Sequence, residues 1–257
     1  MSPLARRTAL VTGGGTGIGA AISARLADAG ASVLFGQQTE EEVAAALSNL
    51  TRPGRDITGV AADLSSAEGC ARLVQACAER WGRLDILVNN AGIAGPPALS
   101  RFIDSNDAHL DLVIEVNLKA AFRCARDAAR IMATIGGGVI VNITSVAAHA
   151  AQLDAAAYTA SKAGLVGLTR ALALELAEHS IRVVCVSPGD IDTARTPISA
   201  SLSGDPSARV NPWARRTPLG RRGTPADIAA VVEFLCSEAA GFITGSELIV
   251  DGGWLSY

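Results

Sequence analysis

The sequence is poor in aromatic residues, which make up only 4% of it, and it has neither a long apolar run nor a block of positive charge. No stretch approaches the roughly 20 consecutive apolar residues that a membrane-spanning helix needs, so we expect no membrane association. The formal net charge is −3. Nucleic-acid-binding proteins concentrate Lys and Arg on one face, and the lack of such a block argues against a nucleic-acid partner.

Paired cysteine motifs are also absent. The five cysteines are scattered along the chain, and none forms the Cys-x-x-Cys spacing typical of zinc sites and redox motifs. Unpaired thiols in odd number are typical of a reducing compartment. The N-terminal residues lead into the first apolar run without a signal-like apolar core. We therefore expect a cytoplasmic protein without a metal site.

Short apolar runs alternate with helical segments throughout the chain, which is the pattern of a doubly wound parallel sheet. The central runs are rich in Val and Ile without polar alternation, as expected for strands buried on both faces. We predict an α/β fold with one domain over residues 1–257, a seven-stranded parallel sheet and helices on both faces. The predicted strands are Thr8–Thr12, Ala31–Gly36, Ile57–Ala61, Leu84–Val88, Val139–Thr144, Arg182–Ser187 and Glu247–Val250.

Two helix starts and one long loop can also be predicted. Ser65 and Glu68 have the spacing of a capping box, and Thr224 precedes Pro225 as a cap precedes a first-turn proline. The irregular stretch from about residue 190 to 223 contains four prolines. A loop of that length within one domain is typical of a binding lid.

Tyr158 and Lys162 are spaced four residues apart, thirteen and seventeen residues after Ser145. On a helix, positions i and i+4 share a face, so the phenol and the ammonium would lie side by side. A neighbouring cation favours the phenolate and lowers its pKa from about 10. Such a pair is a candidate general acid and base, although the same spacing also occurs on ordinary helix surfaces.

A glycine-rich turn follows the first predicted strand, in Thr12-Gly-Gly-Gly-Thr-Gly-Ile-Gly19. A strand, a glycine-rich turn and a helix N-terminus in this order let the backbone approach a pyrophosphate. The strict Gly-x-Gly-x-x-Gly fingerprint is missing, but Gly15, Gly17 and Ala20 meet its relaxed form. Together with a tyrosine acid/base, this turn indicates hydride transfer with a dinucleotide.

These motifs, with those that follow them, resemble the short-chain dehydrogenase/reductase family, in a compact form similar to 3-oxoacyl-carrier-protein reductases. The resemblance runs from about Thr8 to Gly253 and implies a Rossmann-type domain. It rests on the order and spacing of the glycine turn, Asp63, Asn89-Asn-Ala-Gly92, Asn117, Ser145, Tyr158-x-x-x-Lys162, Pro188-Gly189 and Thr193. It further implies NAD or NADP as cofactor, a carbonyl or alcohol as small-molecule substrate, and a homotetramer.

The family assigns roles to four residues as a catalytic set: Asn117, Ser145, Tyr158 and Lys162. Tyr158 would be the acid or base, Lys162 would lower its pKa and bind the nicotinamide ribose, and Ser145 would hold the substrate oxygen. The amide of Asn117 would order a water near Lys162. From the residues alone, Ser145 could equally be a strand-end hydroxyl and Asn117 a helix kink or a cap.

The resemblance also implies a cofactor site. Asp63 would bind the adenine amino group, the Asn89 segment would lie behind the adenosine ribose, and the Thr193 segment would contact the carboxamide. The predicted contacts are Gly13, Thr16, Gly17, Ile18, Gly19, Gln37, Asp63, Leu64, Asn89, Ala91, Gly92, Pro188, Gly189, Ile191 and Thr193, with Tyr158 and Lys162 shared with catalysis. Strand-exit turn chemistry is the alternative for Asn89 to Gly92.

One position departs from the family pattern. Where NAD-preferring relatives place an acid after the second strand, this sequence has Gln37, with Gln38 beside it. A neutral amide neither repels a 2′-phosphate nor supplies a cation to bind it. The choice between NAD and NADP therefore stays open at this stage.

The candidate substrate pocket is mostly apolar, which favours a neutral carbonyl or alcohol. Its predicted members are Gly95, Val146, Ala147, His149, Leu153, Asp190, Leu202 and Trp213. Two further hypotheses remain beside the oxidoreductase: a dinucleotide-binding subunit without catalysis, and an isomerase or dehydratase on the same scaffold. The intact Ser145, Tyr158 and Lys162 argue against the non-catalytic subunit.

Overall fold

Seven parallel strands form one sheet in the order β3-β2-β1-β4-β5-β6-β7. A computed structural model describes residues 2–193 and 217–256. The strand order reverses between β1 and β4, and in open parallel sheets a ligand cleft forms at this point, beyond the carboxyl ends of the strands. The strands are β1 (Thr8–Thr12), β2 (Ser32–Gln37), β3 (Ile57–Ala61), β4 (Ile86–Asn89), β5 (Gly138–Ile143), β6 (Ile181–Pro188) and β7 (Glu247–Val250).

Helices cover both faces of the sheet. With the helices counted in chain order, one face of the sheet packs against the first and last helices. The other face packs against the third, fifth and sixth helices. The helices are α1 (Gly17–Asp28), α2 (Glu40–Leu50), α3 (Ala67–Trp81), α4 (Asp107–Ile114), α5 (Ala120–Thr134), α6 (Ala156–Glu175) and α7 (Pro225–Cys236). Among the described residues, no helix combines the length and apolar character needed to cross a bilayer.

Strand β1 shows why the apolar runs lack polar alternation. Ala9 and Val11 belong to the core cluster beneath α1 and α7, whereas Leu10 belongs to the cluster beneath α3 and α5. Successive side chains of a strand point to opposite faces, so a strand covered on both faces needs an apolar residue at every position. All five residues of β1 are buried, and the predicted α/β fold is confirmed.

Three predicted strands match the structure residue for residue, and the other four are displaced at one or both ends by one or two residues. The exact matches are β1, β3 and β7. The largest displacement is in β4, which begins at Ile86 rather than Leu84. Ends move because a strand begins and ends where ladder hydrogen bonds do, which apolar content alone does not fix.

The two predicted helix starts differ in outcome. Thr224 caps α7 as predicted, with a full capping box to Asp227. The capping box predicted for Ser65 and Glu68 is wrong: Ser66 is the cap of α3, and its hydroxyl accepts from Gly69 N at 3.0 Å. The hydroxyl of Ser65 donates instead to the carboxylate of Asp63, with 2.8 Å between Oγ and Oδ1.

The predicted lid lies mainly outside the described residues, and with it Leu202 and Trp213. The residues that flank this segment are joined to each other. Ile191 forms a parallel bridge with Gly223, and the N–H of Asp192 donates to Gly223 O at 2.8 Å. Both ends of the segment therefore meet at the carboxyl edge of the sheet.

Candidate active site

The glycine-rich turn joins β1 to α1 and leaves a helix N-terminus open. Gly13 and Gly17 have φ of 60° and 53°, a conformation that glycine adopts without steric cost. Thr16 is the N-cap of α1 but makes no side-chain cap hydrogen bond, and the first turn carries no acidic residue. The first N–H groups of α1 are therefore available to an anion, and the helix dipole favours one there.

Close packing fixes the shape of this turn. A Cβ built on Gly19 would lie 2.2 Å from Gly13 O and 2.5 Å from the side-chain nitrogen of Asn90. A Cβ on Gly15 would lie 2.9 Å from Cγ of Gln37. Only glycine fits at either position without movement, and Gln37 lies directly against the turn at the end of β2.

Asn90 holds the turn from the neighbouring strand exit. Its Nδ2 donates to Thr12 O and to Gly13 O, each at 3.0 Å. In return, Oγ1 of Thr12 accepts from the backbone N–H groups of Asn90 and Ala91, each at 3.0 Å. Neither Asn90 nor Thr12 is among the site residues predicted from the sequence. The signal that could have found them is their position, since each ends or follows a strand on either side of the point where the order reverses.

The side chain of Asn89 is used inside the sheet, whereas the segment that contains it is the one predicted to lie behind the adenosine ribose. Its Nδ2 donates to Asn142 Oδ1 at 2.9 Å and to Ala121 O at 3.3 Å. Asn142 continues this network to Thr169 Oγ1 at 2.9 Å. Asn89 thus joins two strands internally. It also lines a small pocket with Leu64 and Ala91, behind the exit of β4.

Asn117 connects the β4 exit to α6. It lies in a π-helical turn, Glu115–Lys119, between α4 and α5, which accounts for an asparagine within a helical stretch. Its Oδ1 accepts from Ile93 N at 2.7 Å, and its Nδ2 donates to Ile93 O at 3.1 Å and Ser161 Oγ at 3.2 Å. Both amide hydrogens are therefore used, and of its side-chain atoms only Oδ1 retains capacity for the water that the family role predicts.

Gly92 brings this connection against the predicted catalytic lysine. A Cβ built on Gly92 would lie 3.2 Å from Asn117 Oδ1 and 3.6 Å from Lys162 Nζ. The segment from Asn90 to Gly92 thus runs from the glycine turn to the ammonium group.

Ser145, Tyr158 and Lys162 meet at the carboxyl end of β5. Ser145 is the N-cap of a short 3₁₀ turn, and its Oγ accepts from Ala147 N at 3.1 Å. The Ser145 hydroxyl lies close enough to the Tyr158 phenol to act on it as a hydrogen-bond partner, which lowers the pKa of the phenol. Nζ of Lys162 donates to Ile143 O at 3.0 Å and lies 5.7 Å from the centroid of the Tyr158 ring. The predicted trio is therefore assembled around one strand end.

The pKa of Tyr158 is raised overall rather than lowered, although Lys162 lies beside it. Burial raises the pKa of the phenol above its usual value, and the contact with Ser145 only partly opposes this. Burial also lowers the pKa of Lys162 to about 8. Both directions follow from desolvation, which disfavours the charged form of each group.

The loop after β6 returns to the glycine turn. Strand β6 ends at Pro188, and Gly189 N donates to Val250 O at 3.0 Å. Ile191 is buried in the same core cluster that Ile18 packs against. A Cβ built on Gly17 would lie 3.6 Å from Cγ2 of Thr193, which places this predicted contact across from the turn.

Asp63 is exposed at the exit of β3, where its Oδ1 accepts from Ser65 N at 2.9 Å. Its position is compatible with the predicted contact to an adenine.

The predicted pocket residues are only partly brought together. Asp190 forms a bidentate ion pair with Arg222 at 2.7 and 2.9 Å, and His149 Nε2 contacts Glu247 Oε1 at 2.6 Å. Both polar groups therefore have protein partners. Val146 and Ala147 are buried, whereas Leu153 is 46% exposed. Gly95 has a φ of 68° and begins a short 3₁₀ turn after β4.

The chain is similar to known proteins over nearly its whole length. The family model described as enoyl-(acyl carrier protein) reductase matches residues 13–255. The chain is 39% identical to cis-4-hydroxycyclohexanecarboxylate dehydrogenase of Sinomonas cyclohexanicum, over 97% of each protein. It is 38% identical to dehydrogenase/reductase SDR family member 4 of Bos taurus, over 100% of this chain and 90% of the relative.

A solved structure is also similar to this chain in fold. It is that of 7α-hydroxysteroid dehydrogenase complexed with NADH and 7-oxo glycochenodeoxycholic acid. The two chains share 32% identity and superpose with a TM-score of 0.87, over 99% of this chain and 96% of that one.

Proposed function

The chain belongs to the short-chain dehydrogenase/reductase family, and we propose that Ser145, Tyr158 and Lys162 carry out its NAD(P)-dependent oxidation and reduction of a secondary alcohol and carbonyl pair. The observation that carries this proposal is the meeting of the Ser145 hydroxyl and the Tyr158 phenol at the end of β5, with Lys162 held beside them by Ile143 O. Two hydroxyls that meet at a strand end can both contact one substrate oxygen.

The residues present fit a dinucleotide. The uncapped N-terminus of α1 would hold the pyrophosphate, Asp63 and Gln37 would contact the adenosine half, and Thr193 would contact the carboxamide. When bound, the nicotinamide supplies or accepts the hydride at the substrate carbon.

Proton transfer is the part of the reaction that the chain itself performs. In carbonyl reduction, Tyr158 donates its phenolic proton to the substrate oxygen while Ser145 donates a hydrogen bond to the same oxygen. In alcohol oxidation, Tyr158 accepts the proton in return. Lys162 is positively charged below a pH of about 8, so near neutrality it stabilises the phenolate that forms during reduction.

The raised pKa of Tyr158 favours reduction at neutral pH. A phenol that holds its proton firmly is present almost wholly as the acid. Oxidation requires the deprotonated form, so its rate should increase with pH over the alkaline range, whereas the rate of reduction should not.

The side chain at the end of β2 supports use of either nicotinamide. Gln37 packs on Gly15 of the turn and brings no carboxylate to repel a 2′-phosphate and no cation to bind it. We propose that discrimination between NADH and NADPH is weak, with any preference arising from Gln37 and the exposed Thr16.

The substrate we propose is a neutral or weakly polar ketone or its secondary alcohol. Two of the similar proteins are named for dehydrogenation of hydroxyl groups on carbocycles, a cyclohexanecarboxylate and a steroid, so cyclic ketones belong in the first panel. A homotetramer and a cytoplasmic location remain predictions from the family resemblance.

The test is a screen of cyclic and acyclic ketones and alcohols with NADH, NADPH and their oxidised forms, followed by nicotinamide absorbance. We expect turnover by the wild type and none by Tyr158→Phe, with cofactor affinity kept because the phenyl ring remains. Binding of cofactor without turnover of any substrate would favour the non-catalytic subunit. Loss of substrate at constant nicotinamide absorbance would favour an isomerase or dehydratase.

A further inference from the structure

The turn that carries Ser145 is short and needs support from elsewhere in the fold. It is a 3₁₀ turn, Val146–Ala148, with Ser145 as its N-cap and His149 as its C-cap. Single 3₁₀ turns have poor hydrogen-bond geometry and little stability of their own. The direction of the Ser145 hydroxyl therefore depends on what holds the two ends of this turn.

One carboxylate, that of Glu247 in β7, reaches both ends. After the turn, His149 Nε2 lies 2.6 Å from Glu247 Oε1. Before the turn, Thr144 Oγ1 is hydrogen-bonded to Ser187 Oγ, and Ser187 Oγ donates to the same Glu247 oxygen. Thr144 also precedes Ser145 directly in the chain.

The donors in this network have a fixed direction. A carboxylate can only accept, so Ser187 must give its single hydroxyl proton to Glu247. Thr144 must then be the donor to Ser187 Oγ, and it shares its proton with Val186 O at 2.9 Å. His149 must carry a proton on Nε2. Each bond points towards the carboxylate, and hydrogen bonds aligned in this way strengthen one another.

Burial makes the network strong enough to hold a backbone segment. Thr144 and Ser187 are 3% and 0% exposed, the Glu247 side chain is 10% exposed, and the His149 side chain is 35% exposed. Hydrogen bonds to a charged group are stronger than those between neutral groups, and more so when little water competes.

We propose that Glu247 is a positioning residue for Ser145, fixing both ends of the Ser145–His149 turn through Ser187 and Thr144 on one side and His149 on the other. Glu247 does not touch substrate or cofactor in this role. It keeps the Ser145 hydroxyl aimed at the Tyr158 hydroxyl. The inference rests on the proposed function only for what the trio does with a substrate; the proximity of Ser145 to Tyr158 exists without one.

The first experiment therefore needs neither substrate nor cofactor. The chain has only two tyrosines, so in a Tyr257→Phe background the tyrosinate absorbance reports the pKa of Tyr158 alone. Because the Ser145 hydrogen bond lowers that pKa, Ser145→Ala should raise it. If Glu247 acts through Ser145, Glu247→Ala should raise it in the same direction and add little in the Ser145→Ala background.

The second experiment measures steady-state kinetics. We expect Glu247→Ala to reduce kcat by about 10–100-fold, since small misplacements of a catalytic group cost this much, with cofactor affinity unchanged. In the Ser145→Ala background the same substitution should cost less than about twofold, because the residue through which it acts is already gone. Glu247→Gln, which can still accept from Ser187, should recover much of the rate.

Controls separate positioning from folding. Glu233→Ala removes an ion pair elsewhere in the fold, with Arg25 between α1 and α7, and should leave kcat unchanged. His149→Ala releases only the more exposed end of the turn, so it should still fold even if Glu247→Ala fails to fold. It should also lower kcat by a smaller factor than Glu247→Ala.

An unchanged pKa of Tyr158 in Glu247→Ala, or losses of rate that multiply with those of Ser145→Ala, would overturn the proposal. Failure of the wild type to turn over any substrate would refute the proposed function but leave the titration result standing.

Discussion

The Lys162 ammonium donates a hydrogen bond to the carbonyl oxygen of Ile143 at 3.0 Å, two residues before Ser145. The lysine thus holds the end of β5 as well as standing beside Tyr158. It is 5% exposed, and burial lowers its pKa from the usual 10.5 to about 8. A buried cation with one backbone partner lowers the stability of the folded state while it remains charged.

This predicts a pH-dependent stability difference between the wild type and Lys162→Met. Between pH 8 and 10.5 the unfolded chain retains a proton on Lys162 that the folded chain has lost. The contribution of Lys162 to the free energy of unfolding therefore increases as pH rises through this window. We expect Lys162→Met to be more stable than the wild type below pH 8. The advantage should decrease by about 3 kcal/mol on going to pH 10.5.

Urea unfolding at a series of pH values would measure this effect, and it must be taken as a difference between the two proteins. Burial raises the pKa of the Cys77 and Cys236 thiols to about 12, so both titrate over the same range with the opposite effect on stability. They are common to the wild type and the variant and cancel. A difference that stays constant from pH 7 to 10.5 would contradict a lowered pKa for Lys162.

The adjacent asparagines Asn89 and Asn90 should have separable effects. Asn89→Ala removes the donor to Asn142 and Ala121 O within the sheet, so we expect a loss of about 1–3 kcal/mol in the free energy of unfolding. Asn90→Ala frees the carbonyls of Thr12 and Gly13 at the turn. Its main effect should be weaker cofactor binding.

Cofactor fluorescence titration and urea unfolding of both variants would test this separation. The contrary result would be a larger loss of cofactor affinity in Asn89→Ala than in Asn90→Ala. That outcome would restore the contact that the sequence pattern assigned to Asn89.

The sequence predicted the sheet and the assembly of the trio because their signals are local or topological. Apolar runs define strands buried on both faces, and the spacing of Tyr158 and Lys162 on α6 needs only a helix to bring them together. Ser145 follows a central strand, and the carboxyl ends of parallel strands share one edge. Thr224 caps α7 as predicted because a threonine followed by a first-turn proline is itself a short sequence pattern.

What the sequence could not predict depends on partners far along the chain. Asp190 and His149 are polar residues near the site, but Arg222 and Glu247 engage them from other elements. Asn89 and Asn90 are chemically identical, and only the alternation of the strand decides which one points to the turn. The raised pKa of Tyr158 follows from burial of the phenol, which residue spacing does not specify.

Gly19→Ala should abolish cofactor binding. The added Cβ would lie 2.2 Å from Gly13 O and 2.5 Å from the Asn90 amide, so the turn would have to open at the point where the pyrophosphate would bind. Overpacking of this kind typically costs about 1–3 kcal/mol of stability. Gly167→Ala on α6 is the matched control, because nothing lies within 4 Å of the added methyl group.

Isothermal titration with NADH and thermal unfolding of both glycine variants would decide the matter. Gly167→Ala should bind cofactor normally and gain up to about 1 kcal/mol, as alanine does over glycine within a helix. Normal cofactor affinity in Gly19→Ala would mean that the turn at residues 13–19 does not hold the pyrophosphate.

Gln37→Asp should convert weak discrimination between nicotinamides into a clear preference for NADH. Gln37 is 8% exposed and lies against Gly15, so a carboxylate there would face the ribose 2′ position with little water to screen it. Repulsion of a 2′-phosphate at close range costs several kcal/mol, and we expect kcat/KM with NADPH to fall by about 100-fold or more. With NADH, an aspartate can accept from the 2′-hydroxyl, so kcat/KM should change by less than about tenfold.

Gln37→Asn is the matched control, because its side chain is neutral and shorter. It should affect both cofactors alike and so isolates the effect of the charge. Equal losses with NADH and NADPH in Gln37→Asp would show that the side chain does not face the 2′ position, and the source of selectivity would then have to be sought at Thr16 on the other side of the turn.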